Sequence, residues 1–239
     1  MVLFANKKLG QNFLMAKNIA KKIVDFADVK GKVVLEIGPG PGILTKYIVE
    51  NEPKKLILCE IDTFYYNLLR KEYENYDNVT VINSDVLKLE NITVDVCLGN
   101  LPFNISTQIL FKSLEFKPQY NVFMFQKEVG EKIIAKPGSK NYGRLSLISQ
   151  FYFHIEYLMT VPKRFFKPKP KVDACVLKMI KKRDRNYDFE DFVMRIFRYR
   201  NKNLNKVLKK EFGIDYDSNK KVKDLDWKEC YEIFLKFYK

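Results

Sequence analysis

Histidine and cysteine are scarce in this chain, and long apolar runs are absent from it. The 239 residues include one histidine and four cysteines, and no two cysteines are spaced as in a zinc site or a disulfide framework. We therefore predict no metal site and expect the cysteines to be core residues. No run approaches the roughly 18 apolar residues of a membrane span, and no apolar signal core follows the basic start Met1–Lys8. These absences favour a cytoplasmic protein with no membrane partner.

Acidic residues are few relative to basic ones. Lys and Arg number 43 against 29 Asp and Glu, which gives a net charge of +14 and a pI near 9.4. Such a field attracts polyanions. Lysine is also abundant in thermophile proteins, but glutamate usually rises with it. Because acidic residues are not similarly abundant here, we favour a nucleic acid as the partner.

Short β-branched runs alternate with segments of helical period between residues 33 and 125. This alternation predicts an α/β fold whose mostly parallel sheet has helices on both faces. An amphipathic helix around residues 19–27 precedes it. The predicted strands are Val33–Ile37, Leu56–Ile61, Val79–Ile82, Val94–Leu98, Val122–Phe125, Phe151–Val161 and Val172–Ile180, and the helices between the first five are Ile43–Val49, Phe64–Tyr73 and Ile105–Leu114.

The composition changes at the charged run Lys181–Arg185. Beyond it, residues 189–208 and 227–237 have helical spacing. A charged linker followed by so short a segment suggests a small appended domain. We therefore predict a main domain at residues 1–182 and a small, all-helical C-terminal domain at residues 183–239.

A glycine-rich turn, Glu36–Gly42, follows the first predicted strand and opens a helix. Glycines allow the backbone to approach a ligand closely at the end of a strand. The turn does not match the GxGxxG dinucleotide fingerprint, whether the count starts at Gly38 or at Gly40. The sixth position is Ile43 in the first case and Thr45 in the second, and this mismatch disfavours NAD and FAD as cofactors. The pattern instead resembles the first motif of S-adenosylmethionine-dependent methyltransferases, with Gly38 and Gly40 against the cofactor.

Polar residues follow the next three predicted strands. Glu60 or Asp62 could accept hydrogen bonds from ribose hydroxyls, and the spacing favours Glu60. Asp85 can accept a hydrogen bond from an adenine amino group, while Val86 supplies a backbone N–H. The fourth strand ends at Asn100. Because the carboxyl ends of parallel strands meet at one edge of a sheet, we predict that these residues share one pocket.

The segment Asn100-Leu101-Pro102-Phe103 combines an amide, two backbone carbonyls and an aromatic ring. The side-chain oxygen of Asn100 and the carbonyl of Leu101 or Pro102 can accept hydrogen bonds from a planar amino group. The Phe103 ring can stack on a base. We predict that these four residues are the catalytic set of an enzyme that methylates a base amino group.

With these motifs in view, the chain resembles the ribosomal RNA adenine N6-dimethyltransferases from Lys8 to about Asn203. Phe103 stands where the family more often has Tyr, which keeps the stacking face. The resemblance implies a Rossmann-like class I methyltransferase domain with a seven-stranded sheet. The further matching segments are Leu9-Gly10-Gln11-Asn12-Phe13-Leu14, Tyr142-Gly143-Arg144-Leu145-Ser146 and Phe166-Lys167-Pro168-Lys169-Pro170-Lys171-Val172.

The resemblance also implies an activity, a cofactor and site residues. The enzyme would transfer methyl groups from S-adenosylmethionine to N6 of two adjacent adenines near the 3′ end of small-subunit ribosomal RNA. It would act as a monomer on the small subunit during ribosome biogenesis. The implied cofactor residues are Gln11, Asn12, Leu14, Gly38, Gly40, Glu60, Ile61, Asp85, Val86 and Asn100.

Phe166 and a set of cations are the predicted RNA contacts. Phe166 would close on the target base opposite Phe103. Arg144 is a single candidate in a loop-like segment, and Lys169 belongs to a lysine-rich one. Four basic residues recur at helical spacing and are expected to form one basic face, namely Arg195, Arg198, Lys202 and Lys206.

Two alternatives stay open. The chain is short in its C-terminal region, as in the erythromycin-resistance methyltransferases, which act on an adenine of large-subunit RNA. The segments Tyr142–Ser146 and Phe197–Lys202 look more like the small-subunit family. The second alternative is a non-catalytic RNA- or DNA-binding factor on the same fold. This alternative predicts that the cofactor-binding residues have been replaced, whereas Gly38, Glu60 and Asn100 are present.

Overall fold

The structure is a computed structural model that describes residues 5–6 and 9–237. Residues 1–4, 7–8 and 238–239 lie outside the described residues. Most of the basic start Met1–Lys8 therefore lies outside them, as does Lys8, at which the resemblance begins.

Strands and helices alternate through the first two thirds of the chain, and helices dominate the rest. No helix in the described part of the chain is long and apolar enough to cross a membrane. The strands are β1 (Phe13–Leu14), β2 (Val33–Ile37), β3 (Lys55–Glu60), β4 (Val79–Asn83), β5 (Val96–Asn100), β6 (Tyr120–Gln126), β7 (Phe153–Val161), β8 (Phe166–Lys167) and β9 (Ala174–Lys181). The helices are α1 (Lys17–Ala27), α2 (Ile43–Glu50), α3 (Thr63–Glu72), α4 (Ser106–Lys112), α5 (Lys127–Ile133), α6 (Arg144–Tyr152), α7 (Tyr187–Phe197), α8 (Leu204–Phe212) and α9 (Trp227–Phe237).

Seven strands form one sheet in the order β4-β3-β2-β5-β6-β9-β7. The pairs from β4 to β6 are parallel, and β9 runs antiparallel to β6. This confirms the predicted seven-stranded, mostly parallel sheet. The strand order reverses between β2 and β5, and in such sheets the crevice for a ligand opens at that point, outside the carboxyl ends of the strands.

Both faces of the sheet are buried along its central strands β3, β2, β5 and β6. One face packs on α1, α2 and α3, and its side chains come from alternate strand positions such as Val34, Leu98 and Met124. The intervening positions are buried as well, as at Leu35 and Phe123. Burial on both faces explains why these strands appear in the sequence as continuous apolar runs. The four cysteines are also buried, and burial raises the pKa of the Cys59 thiol to about 12.

The chain divides into two compact units. The first comprises residues 1–127 and 155–181, and the second comprises residues 128–154 and 182–239. The core of the second unit is aromatic, with the rings of Phe151 and Phe189 only 4.3 Å apart. The second unit therefore includes α6 as well as the C-terminal helices. The domain boundary between residues 182 and 183 stays a prediction.

The long helix predicted at residues 189–208 is interrupted. Helix α7 ends at Phe197 and α8 begins at Leu204. Asn203 lies between them in extended conformation and forms a β-bridge with Lys221. The prediction that Arg195 to Lys206 share one helical face is therefore wrong, because four residues on two helices and a connection have no common helical period. Helices α5 and α6 were not predicted, and residues 151–152 end α6 instead of beginning a strand.

Gly99 of β5 lies close to the backbone of β2. A Cβ atom at this position would lie 2.6 Å from the backbone oxygen of Ile37. We expect Gly99→Ala to lower the free energy of unfolding by about 1–3 kcal/mol, because a strand backbone in the middle of a sheet cannot move aside easily. Urea unfolding measures this change. Gly143→Ala is the control, since nothing lies within 4 Å of its added Cβ; equal effects of the two substitutions would contradict the expectation.

Candidate active site

A crevice of about 660 Å³ opens at the carboxyl ends of the central strands. It brings together most of the predicted site residues, which come from five separate parts of the first unit. Those that line it are Gln11, Asn12, Gly38, Gly40, Glu60, Ile61, Asp85, Val86, Asn100, Leu101, Pro102 and Phe103.

Several lining residues were not predicted. Leu9, Gly10 and Phe13 belong to the N-terminal motif, so that whole segment could have been named. Ile105 and Ile109 extend the crevice along α4. Their spacing of one helical turn was a signal in the sequence that they share a face.

The glycine turn makes the floor of the crevice. Gly38 and Gly40 have positive φ angles of 64° and 54°, a conformation that other residues adopt at a cost. The Gly38 N–H donates to the Cys59 backbone oxygen at 3.0 Å. A Cβ atom at Gly40 would lie 2.8 Å from the Phe13 ring. The turn therefore needs glycine both for its conformation and for the close approach of the N-terminal segment.

Glu60 is the acid that faces the crevice. Its carboxylate accepts the N–H groups of Gly40 and Asp62, each at 2.9 Å. Burial raises the pKa of Glu60, and the two backbone hydrogen bonds oppose that rise. Asp62 instead accepts the Phe64 N–H, as the N-cap of α3, and the side-chain amide of Gln11, each at 3.0 Å. Of the two acids that chemistry allowed, Glu60 lines the crevice and Asp62 does not.

Asp85 and Val86 lie on the same side of the crevice. One carboxylate oxygen of Asp85 accepts the Leu87 N–H at 3.0 Å and so caps a short 3-10 turn. A carboxylate can accept further hydrogen bonds. The Ile61 side chain, 47% exposed, completes this part of the lining. The arrangement suits a flat ring with an amino group at its edge.

The amide of Asn100 is hydrogen-bonded through its nitrogen and has no partner for its oxygen among the described residues. Its Nδ2 donates to the backbone oxygen of Asn12 at 2.7 Å. Its Oδ1 is buried, and no group among the described residues donates a hydrogen bond to it. A buried acceptor without a partner costs about 1–3 kcal/mol, and such atoms in native proteins call for an explanation. A hydrogen-bond donor on a bound ligand would supply one.

The turn after Asn100 distinguishes the two candidate carbonyls. The carbonyl of Pro102 accepts the Ile105 N–H at 3.2 Å and so forms the turn into α4. Because the Pro102 carbonyl is already engaged, the Leu101 carbonyl is favoured as the second acceptor. The Leu101 side chain itself is buried.

Leu14 and Phe166 lie outside the crevice. They face each other where β1 and β8 pair, and their exposed fractions are 1% and 4%. Leu14 was predicted to cover the cofactor and Phe166 to stack on the target base. The structure brings neither into the lining, because both side chains belong to the hydrophobic core. Their position indicates that they hold the N-terminal segment in place.

The predicted RNA-binding cations are exposed but belong to different units. Lys169 follows β8 in the first unit, while Arg144, Arg198 and Lys202 belong to the second. Arg195 differs from them. Its Nε lies 3.3 Å from the Glu211 carboxylate, and its guanidinium stacks on the Phe212 ring at 4.1 Å. Arg195 is therefore engaged within the protein.

Glu36 lies directly below the glycine turn and is 1% exposed. The Thr45 hydroxyl donates to it at 2.7 Å. Burial raises its pKa from 4.5 to about 8, although the Thr45 hydrogen bond opposes the rise. Glu36 is therefore neutral over most of the range in which proteins are studied, and it acts as a buried hydrogen-bonding group.

The raised pKa of Glu36 predicts a pH dependence of stability. Because the folded-state pKa lies above the unfolded one, its contribution is fully present below about pH 4.5 and is lost as pH rises through about 8. Glu36→Gln keeps an oxygen for Thr45 and cannot ionise. We expect the melting temperature of this variant, relative to the unsubstituted protein, to rise between about pH 5 and about pH 8. A difference that stays constant with pH would contradict the raised pKa.

Comparisons with known proteins found similar sequences and similar folds. A sequence model of the family described as Ribosomal RNA adenine dimethylase matches residues 3–232. Ribosomal RNA small subunit methyltransferase A of Pelagibacter ubique is 36% identical over 236 residues, which cover 93% of this chain and 88% of that protein.

Two solved structures have the same fold. The crystal structure of a dimethyladenosine transferase from Plasmodium falciparum superposes with a TM-score of 0.85 at 26% identity, covering 94% of this chain and 97% of that one. The 23S rRNA methyltransferase ErmE superposes with a TM-score of 0.72 at 22% identity, covering 95% and 100%. At that identity, the likeness to ErmE concerns the fold alone.

Proposed function

Because the chain belongs to the ribosomal RNA adenine dimethylase family, we propose that it transfers methyl groups from S-adenosylmethionine to N6 of two adjacent adenines near the 3′ end of small-subunit ribosomal RNA. The product is N6,N6-dimethyladenosine, made while the small subunit is assembled. The name of the Pelagibacter relative supports the small subunit as the target. The support for the large subunit as the target is weaker, because ErmE, at 22% identity, shares only the fold.

The unpartnered Oδ1 of Asn100 is the observation that carries this proposal. It is a buried acceptor beside Leu101 and Phe103 in the same crevice as Glu60 and Asp85. A factor that bound RNA without chemistry would gain nothing from such an atom. The amino group of an adenine would supply its missing hydrogen bond.

The residues present fit S-adenosylmethionine. Glu60 would accept hydrogen bonds from the ribose hydroxyls, and Asp85 with the Val86 N–H would hold the adenine edge. Gly38 and Gly40 allow the backbone to approach the ligand closely. The bound cofactor supplies an electrophilic methyl group on a sulfonium centre. It would be walled on one side by Gln11 and Asn12.

Asn100 and Leu101 would make N6 of the target nucleophilic. The lone pair of an exocyclic amine is delocalised into the ring, so N6 is a poor nucleophile. When Asn100 Oδ1 and the Leu101 carbonyl accept the two N6–H groups, the nitrogen moves toward tetrahedral geometry and its lone pair becomes available. Positioning of this kind can contribute up to roughly 7–11 kcal/mol. The alkylated nitrogen is acidic and releases its proton readily, so no strong general base is needed.

The target adenine must leave its stack to reach Asn100. Phe103 would stack on the extruded base, a contact worth about 1–3 kcal/mol. For the second transfer, the pocket must accept a nitrogen that already carries a methyl group. Ile105 and Ile109 extend the lining with apolar surface on which that methyl could pack.

The monomeric state and the cytoplasmic location stay predictions.

Removal of the Asn100 amide should separate catalysis from binding. We expect Asn100→Ala to lower the rate of methyl transfer roughly 100- to 1,000-fold, as for the loss of a transition-state contact. RNA affinity should be unchanged, because the phosphate contacts remain. The measurement is transfer of labelled methyl groups to unmethylated small subunits, followed by nucleoside analysis. Asn67→Ala, at an exposed position of α3 outside the crevice lining, is the matched control; full activity of Asn100→Ala would refute the assignment.

The exposed cations should appear in the salt dependence of RNA binding. We expect Arg198→Ala and Lys202→Ala each to lower the slope of log affinity against log salt by about one, because each removes one phosphate contact. Arg195→Ala should leave the slope unchanged, since its guanidinium is engaged with Glu211 and Phe212. Affinities at several salt concentrations test this. A slope that falls only in Arg195→Ala would reverse the assignment.

A further inference from the structure

Three cationic side chains surround Trp227, the single tryptophan of the chain, at the start of α9. The Lys182 Nζ lies 4.5 Å from the centre of the indole ring, and the central guanidinium carbon of Arg183 lies 4.4 Å from it. The Lys228 Nζ lies 5.7 Å from the same ring. We call these three side chains the Trp227 cation cluster. All of them belong to the second unit of the chain.

Two of the three cations are fixed by the last turn of α6. The Lys182 Nζ donates to the Gln150 backbone oxygen at 2.6 Å, and the Arg183 guanidinium donates to the Phe151 backbone oxygen at 2.9 Å. The backbone N–H of Lys182 also donates to the Tyr152 oxygen, at 2.8 Å. Neutral carbonyl groups therefore hold the two cations side by side.

The positive charge of the Trp227 cation cluster is not neutralised. Within residues 5–6 and 9–237, none of its three members forms an ion pair with a carboxylate. Arg185, in the same connection, differs from them, because its guanidinium donates to the two Glu190 carboxylate oxygens at 2.9 and 3.2 Å. Cations that lack a counter-ion attract anionic groups such as phosphate.

The amine of Lys182 is the reactive group of the cluster. Its pKa is lowered from 10.5 to about 8, first by desolvation and then by the positive charges of Arg183 and Lys228. The group that faces it from α6 is the neutral backbone oxygen of Gln150. A lysine amine that is desolvated or lies beside another cation is an activated nucleophile. The Lys182 side chain is also exposed, so a small reagent can reach it.

We propose that Lys182 is a site of acylation by small acyl phosphates, whose phosphate group binds Arg183 and Lys228. The uncharged Nζ attacks the carbonyl carbon of the acyl phosphate, and a C–N bond forms. The bond between that carbon and the phosphate oxygen breaks, and its electron pair leaves with the phosphate. The phosphate takes up one amine proton and departs as hydrogen phosphate. The product is a neutral amide, so acylation removes one charge from the cluster.

The test is incubation of the whole protein with acetyl phosphate at pH 8, with the rate of acetylation at each lysine followed by peptide mass spectrometry. We expect Lys182 to react about tenfold faster than Lys54, because roughly half of its amines are uncharged, against about 0.4% for an ordinary lysine. The lower basicity of the Lys182 amine offsets part of this gain. Lys54 is an exposed lysine of the first unit. Rates that agree within about twofold at the two lysines overturn the proposal.

Lys228→Gln tests the binding of the phosphate group, because it leaves the hydrogen bonds of Lys182 in place. We expect this variant to slow acetylation of Lys182 by acetyl phosphate about threefold or more, and to leave Lys54 unchanged. Lys236→Gln, at the other end of α9, is the matched control and should change neither rate.

A neutral reagent, the N-hydroxysuccinimide ester of acetic acid, separates recognition of phosphate from reactivity of the amine. Lys228→Gln raises the pKa of Lys182 and so slows both reactions, but only acetyl phosphate also loses a contact to its phosphate group. We therefore expect the slowing at Lys182 to be larger with acetyl phosphate than with the ester. Equal slowing with the two reagents overturns the binding of phosphate by the cluster, and with it the proposal.

Discussion

The hydrogen bond between the Asn100 amide and the backbone oxygen of Asn12 is the contact on which the active site depends. It joins the end of β5 to a segment 88 residues earlier in the chain. Because the amide nitrogen is engaged, the oxygen is the atom left to meet the ligand. One bond thus fixes the orientation of the Asn100 amide and joins it to the N-terminal wall of the crevice. Asn12 directly precedes β1, which pairs with β8, and the neighbouring Phe13 ring packs close to Gly40.

The sheet supplies the second constraint, because it brings distant residues to one edge. Gly99 lets β5 lie close to β2, where the strand order reverses. Glu60, Asp85 and Asn100 then follow three strands whose carboxyl ends meet. Below them, Glu36 is buried and hydrogen-bonded to Thr45. In the proposed mechanism, methyl transfer depends on positioning an amine and not on removing a proton with a strong base.

The parts of this site that could be predicted from the sequence are those with a local cause. Gly38 to Gly42 follow a strand, and Glu60 and Asn100 end strands, so the rule for parallel sheets was enough to bring them together. The β1–β8 pair could not be predicted, because two-residue strands have no periodicity and their partner is far along the chain. The burial of Phe166 in that pair could not be predicted for the same reason. The helical spacing from Arg195 to Lys206 was misleading, because Asn203 interrupts the helix and no local pattern required the break.

The burial of all four cysteines has a practical consequence. Thiols such as Cys97 and Cys175 are inside the sheet, and a thiol with a raised pKa forms little thiolate at neutral pH. A single cysteine introduced on the exposed surface would thus be the most reactive thiol of the folded protein. Fluorescent or spin labels could be attached there without replacing the native cysteines.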